Sequence, residues 1–288
     1  MEAEAYIDGS GRLDAAGVPG PVPWWSFTKT ILAIAALRLV EQGLLTLDDH
    51  VAGERFTLAQ LLRHESGLPD YGGLPAYHAD VAAGKPPWPA AQLLAAANAG
   101  QLLFRPGEGW AYSNIGYRRV GVLVAAAAQQ PLAEALARLV FAPAGLATPR
   151  LALDSGDLAG VVMGDANTYH PGWVYHGLVT GTVADAARLV QALAMGRLLR
   201  PDMLARMREG RPLPEHRGDL HRDPAYGLGL MMPDHRTPVP PLGHEGSGPG
   251  SDIAVYARGA EACAVWTAAS SRFAPAAQAL ERLGDGRP

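Results

Sequence analysis

Residues 23–40 read PWWSFTKTILAIAALRLV, and the lysine inside that run decides how the chain is read. The chain holds 24 basic residues, and all but Lys29 and Lys85 are arginine. Arginine keeps its proton under any protein condition, whereas a desolvated lysine can lose one and act as a base. Lys29 follows Ser26 by three positions, a spacing that stacks both side chains on one face of a helix. A serine hydroxyl beside a lysine amine is an arrangement that activates a nucleophile. Ser-x-x-Lys is short enough to arise by chance, so the rest of the sequence has to support it. From Ser26 to Gln42 apolar residues cover nearly the whole circumference and Gly43 supplies a stop. That pattern predicts a helix buried on all sides rather than an amphipathic one. Such a helix presents Ser26 at its N-terminus, rigidly held at the floor of a cleft.

Working outward, 288 residues are enough for one large core or for two lobes that share a cleft. A hydrophobic content of 48% with 18% charged residues describes an ordinary globular chain. The net charge of −4 comes with no basic block, which argues against nucleic-acid and anionic-membrane partners. The single cysteine, Cys263, lies in an apolar run and reads as a small buried residue. The first residues carry two glutamates and no apolar segment, and no apolar run approaches the ~18 residues of a membrane span. The expectation is a cytoplasmic protein, or an exported one whose leader has been removed.

Residues 4–16 read as a hairpin turning at Asp-Gly-Ser-Gly. Helices are expected at 57–64, 89–99, 114–129 and 132–141, then at 183–195 behind a Thr182-x-x-Asp185 box. A strand is expected around 174–181, and three more at 226–232, 253–256 and 262–268. A final helix covers 275–283, and 211–224 is a polar loop. Strands at both ends with helices between them predict an α+β fold: an antiparallel sheet flanked by helices, with an inserted all-helical lobe. The α/β lobe takes residues 1–50 and 172–288, the helical lobe residues 51–171, and the cleft between them is the place for a ligand.

Two further stretches complete a pattern. Tyr112-Ser113-Asn114 sits in EGWAYSNIGY at a loop-to-helix junction, and His244-Glu245-Gly246 sits in PLGHEGSGPGS just ahead of an expected strand. With Ser26-x-x-Lys29 they resemble the three signature elements of serine β-lactamases and penicillin-binding proteins. Within that superfamily they are similar to the class C group, which includes D,D-peptidases and family VIII carboxylesterases. The stretches LVEQGLLTLDDHV, FTLAQLLRHESGLPDY, FRPGEGWAYSNIGYRRVG and YGLGLMM also look like framework segments of that group. The likeness runs from about Ser26 to Ala269. One departure is at the front, where only 25 residues precede the serine, which leaves the edge of the sheet open.

The resemblance implies an acyl-enzyme on Ser26, with Lys29 and Tyr112 as the two candidates for the base and Tyr112 as donor to the leaving group. An ammonium beside Tyr112 would favour its phenolate. Asn114 is implied to hold Lys29 and the substrate carbonyl. The backbone N–H groups of Ser26 and Ser247 are implied to form an oxyanion hole next to Gly246. His244 is implied to meet the leaving group or a substrate carboxylate. With a pKa near 6.5 it would be about a quarter protonated at pH 7, a weak partner for an anion. Arg272 is the other cation that could serve. Taken singly, Tyr112 is a half-buried aromatic, Asn114 a helix cap and His244 a turn residue; only together with Ser26 and Lys29 do they make a site.

Other chemistries fit less well. No serine has glycines two residues to either side, which removes the α/β-hydrolase elbow. His216, His221 and Asp223 lie in the polar loop without supporting ligands, and His64-Glu65 lacks a second histidine four residues on. No metal and no cofactor is expected. The partners expected are a small ester, amide or peptide-like substrate, with assembly into a homo-oligomer left open. Esterase, D-amino-acid peptidase and β-lactamase activities all pass through the same intermediate. The alternative from a different class is a non-catalytic binding or sensor module on the same fold, although a pure binder has no need of Lys29.

Overall fold

The computed structural model describes residues 1–166, 168–270 and 274–284. The chain opens with the hairpin β1 (Glu2–Ile7) and β2 (Leu13–Gly17), followed by the short strand β3 (Val22–Pro23). A single 3-10 turn, Trp25–Phe27, leads into α1 (Thr28–Glu41). Helices α2 (Leu58–Leu62), α3 (Pro75–Ala82), α4 (Ala90–Ala96), α5 (Asn114–Ala128) and α6 (Leu132–Leu136) make the middle section. Strands β4 (Arg150–Ala152) and β5 (Leu178–Gly181) and helices α7 (Val183–Ala194) and α8 (Pro201–Arg208) follow. Three two-residue strands come next, β6 (Arg211–Pro212), β7 (Ala225–Tyr226) and β8 (Met231–Met232). The chain then closes with β9 (Leu242–Gly248), β10 (Ser251–Arg258), β11 (Glu261–Ala268) and α9 (Pro275–Arg282).

Eight strands form one antiparallel sheet in the order β2-β1-β11-β10-β9-β8-β7-β6. The N-terminal hairpin therefore supplies the sheet edge that the sequence left open. The alternation of a strand divides its side chains between two faces. Ile253, Val255, Ala264 and Trp266 join the main core, while Ala254, Tyr256, Cys263 and Val265 meet Ala276, Ala279 and Leu280 of α9. Burial pushes the Cys263 thiol up to about 12, the behaviour of a structural cysteine.

The middle section is helical with one exception, the three-residue strand β4, which pairs with β5 and through it with β3 in a second small sheet. Helices α3 and α8 lie in segments whose sequence shows no clear period, and each starts with proline, whose fixed φ suits a first turn. The strand expected at 226–232 is two strands separated by a tight turn, where Gly229 takes φ +75°. His244 lies ahead of β10, as expected, and is itself inside a strand, β9, that the sequence did not mark.

Helix α1 is buried almost all round: eleven of its fourteen residues are buried. Each of its enclosed leucines and isoleucines stabilises the fold by roughly 1.5–3 kcal/mol. The helix proper starts at Thr28, two residues later than the pattern predicts. Trp25, just ahead of Ser26, adopts φ +40°, a left-handed value that costs a bulky residue energy. Its indole is pinned by a 3.1 Å hydrogen bond from Nε1 to Ser251 Oγ and by an edge-on contact with Tyr169 at 5.5 Å. These contacts offset the strain and fix the turn that carries Ser26. Among the described residues no single helix is long and apolar enough to cross a membrane.

Candidate active site

Ser26 is half-buried, whereas its neighbours Trp25, Phe27, Thr28 and Lys29 are buried. Lys29 is fully enclosed, yet its Nζ lies 2.9 Å from Ser26 Oγ and 2.7 Å from Asn114 Oδ1. It also lies 3.3 Å from His176 Nε2 and 4.7 Å from the centre of the Tyr112 ring. Burial drives the Lys29 pKa well below its ordinary value, and Asp70 opposes the shift only in part. A charge removed from water is costly, which favours the neutral amine.

Asn114 opens α5, where the Ser113 hydroxyl caps the helix by accepting from Gly116 N–H. Asp70 accepts from Asn114 N–H at 2.8 Å and from Asn114 Nδ2 at 3.2 Å. The second bond orients the amide: with Nδ2 on the carboxylate, Oδ1 is the atom that faces Lys29.

Tyr112 is half-buried. Burial raises its hydroxyl well above the usual phenol value, the nearby Ser26 hydroxyl pulls the other way, and Asp70 adds to the rise. The phenolate expected beside an ammonium is therefore not the resting form. The structure holds a phenol next to an amine of depressed pKa.

The third motif reaches the site through close backbone approach. A Cβ on Gly246 would stand 2.7 Å from Ser26 N and 2.9 Å from Trp24 O, so β9 can pass against the serine turn only with glycine there. Ser247, the next residue, is exposed and pairs with Asp252 across β9–β10. Its position beside the Ser26 turn suits a pair of backbone donors.

His244 departs from expectation. Its side chain is fully buried, and a chain of hydrogen bonds fixes its tautomer. Ser113 N–H donates to His64 Nδ1 at 3.0 Å, so the proton of His64 sits on Nε2, 3.2 Å from the Tyr226 hydroxyl. Tyr226 then donates to His244 Nε2 at 2.9 Å, and His244 Nδ1–H goes to the Glu245 carbonyl. Burial, with Lys29 nearby, pushes the His244 pKa down to about 3. The ring is neutral and both nitrogens are engaged by the protein. The part-charged imidazole facing a carboxylate is corrected: His244 is neutral and held between the Tyr226 hydroxyl and the Glu245 carbonyl.

Arg272 lies outside the described residues. His216 stacks edge-on with Trp110 and His221 bonds Glu245 at 2.8 Å; among the described residues no cluster could hold a metal ion.

A family model described as Beta-lactamase matches residues 21–284. The chain belongs to the beta-lactamase family. Penicillin-binding protein 4* of Bacillus subtilis (strain 168) is 29% identical over 141 residues, covering 44% of this chain and 29% of that protein. The match thus spans under a third of that relative's length. Among solved structures, a D-stereospecific amidohydrolase from Streptomyces sp. superposes with a TM-score of 0.77 at 25% identity, over 92% of this chain and 88% of that one. An octameric penicillin-binding protein homologue from Pyrococcus abyssi gives 0.80 at 21% identity, over 98% and 72%. A D-amino acid amidase from Ochrobactrum anthropi SV3 gives 0.76 at 21%, over 92% and 87%. This member of the beta-lactamase family thus has the serine-hydrolase fold of that superfamily.

Two residues at the centre of its site escaped the sequence reading. Asp70 stands in FTLAQLLRHESGLPDY, where only the family framework drew notice. His176 is 147 residues from Lys29 in a turn ahead of β5, with no motif spacing to mark it.

Proposed function

We propose that this chain is a serine hydrolase that cleaves a small ester or amide through an acyl-enzyme on Ser26, with Lys29 as the base. The observation that carries the reading is the enclosed Lys29 amine, 2.9 Å from Ser26 Oγ and held by Asn114. A neutral amine takes the serine proton as Oγ attacks the carbonyl carbon. The Ser26 and Ser247 N–H groups receive the developing oxyanion. Tyr112, a phenol in the resting state, is suited to pass its proton to the leaving group and to take the serine's proton back from the Lys29 ammonium. The neutral, occupied His244 supports a leaving group without a carboxylate, and the likeness to a D-stereospecific amidohydrolase supports amides of D-amino acids beside simple esters.

Intact-mass spectrometry after treatment with a fluorophosphonate tests the reading. One adduct is expected, lost in Ser26→Ala. No adduct on the folded wild type would leave a binding module instead. A panel of nitrophenyl esters and of D- and L-amino-acid nitroanilides then ranks the substrates.

A further inference from the structure

We propose that His176 is a positioning residue that accepts a hydrogen bond from Lys29 and thereby turns the lysine lone pair onto Ser26; this rests on the Ser26–Lys29 reading above. Three atoms surround Lys29 Nζ: Asn114 Oδ1 at 2.7 Å, Ser26 Oγ at 2.9 Å and His176 Nε2 at 3.3 Å. A neutral amine has two N–H bonds and one lone pair, and an ammonium has three N–H bonds. Asn114 Oδ1 accepts in both states, because Asp70 holds its Nδ2 at 3.2 Å. If His176 Nε2 also accepts, the neutral amine has one direction left for its lone pair, toward the serine proton. After that proton moves, the ammonium finds three acceptors in the same three places. If Nε2 carried a hydrogen instead, it would occupy the lone pair and then oppose the ammonium. Only the Nδ1–H form of His176 serves both halves of the proton transfer.

His176 is buried, and its Nδ1 makes no hydrogen bond among the described residues, so either tautomer leaves that atom without a partner and only the Lys29 side distinguishes them. Burial, Lys29 and His244 hold its pKa well below that of a free imidazole, against a backbone contact with Trp25, so the ring stays neutral and able to accept. The titratable groups around the pair are Ser26 and Lys29 at the start of α1, Asp70 in its loop, Tyr112 ahead of α5, Tyr117 within α5, His64 after α2 and His244 on β9.

Two measurements test this. In the wild type, a long-range proton–nitrogen NMR spectrum should show His176 with Nδ1 protonated and Nε2 bare; the opposite tautomer overturns the proposal. Then Ser26 acylation by a nitrophenyl ester is followed against pH in His176→Gln, whose Oε1 reaches about as far as Nε2, and in His176→Leu and His176→Phe, which fill the space without an acceptor. Thermal midpoints serve as folding controls. The apolar variant that folds should acylate ~10-fold or more slowly with little change in KM, within the range of misoriented proton transfer. Its acid limb should move to lower pH, because the ammonium has lost an acceptor. His176→Gln should restore rate and limb to within about threefold. Wild-type acylation in a folded apolar variant, or equal loss in His176→Gln and the apolar variants, overturns the role. A wild type that forms no adduct on Ser26 fails the parent reading instead, and the tautomer still reports on the hydrogen bond by itself.

Discussion

At the level of single residues, the site depends on Lys29 being a lysine. Lys29→Arg keeps a charge but cannot accept a proton, and its planar fork does not fit a space shared by three atoms within 3.3 Å. Turnover should be nearly abolished in a folded protein, read as kcat with the thermal midpoint alongside; activity within about threefold of the parent would remove Lys29 from the reaction. Tyr112→Phe should fold normally and lose ~10²-fold or more in kcat. A rate like the parent's would reduce Tyr112 to packing. His244 makes a prediction about pH. Its pKa near 3 leaves it neutral across the working range, so the ratio of nitrophenyl butyrate to chromogenic cephalosporin kcat/KM should favour the ester at pH 6 and pH 8 alike. A clear gain for the cephalosporin at pH 6 would mean that a histidine near the substrate does take up a proton.

At the level of elements, the site is made where β9 crosses the turn at the head of α1. Neither element suffices: the turn holds Ser26, and the strand brings Ser247. Gly246 sets their distance, since a methyl there would meet Ser26 N at 2.7 Å. Gly246→Ala should push β9 away and lower kcat by ~10²-fold, the scale of one lost oxyanion donor. Ser247→Ala should cost little, because the donor proposed there is a backbone N–H. Equal losses in both variants would shift the role to the Ser247 hydroxyl. The same crossing explains Trp25, whose strained φ turns Ser26 toward the strand while its indole is fastened to Ser251 beyond β9.

Across the whole molecule, the buried amine works against stability. Lys29 has a lower pKa folded than unfolded, so between those two values the unfolded chain binds more protons and stability rises with pH. Lys29→Met should therefore fold, be inactive and have a higher thermal midpoint than the parent. Its advantage should be largest at the acid end and shrink as pH climbs toward ~10.4. A lower midpoint at every pH would show that the amine's hydrogen bonds outweigh its desolvation. Much of this architecture is legible in the sequence. The all-round apolar face of α1, the hairpin turn of β1–β2 and the cap of α7 are local patterns, set by neighbours a few positions apart. The motif order placed Ser26, Lys29, Tyr112 and Asn114 in one reading for the same reason. What the tertiary structure decided is charge state and company. Whether Lys29 keeps its proton depends on burial by elements far along the chain: His176, 147 positions away, meets it directly, and Asp70 acts through Asn114, from which it is 44 positions distant. His244 kept its place in the motif but not its assigned charge, because Tyr226 and the interior of the sheet, not its sequence neighbours, set its environment. Side-chain identity and spacing are written locally; dielectric and hydrogen-bond partners exist only once distant segments have packed together.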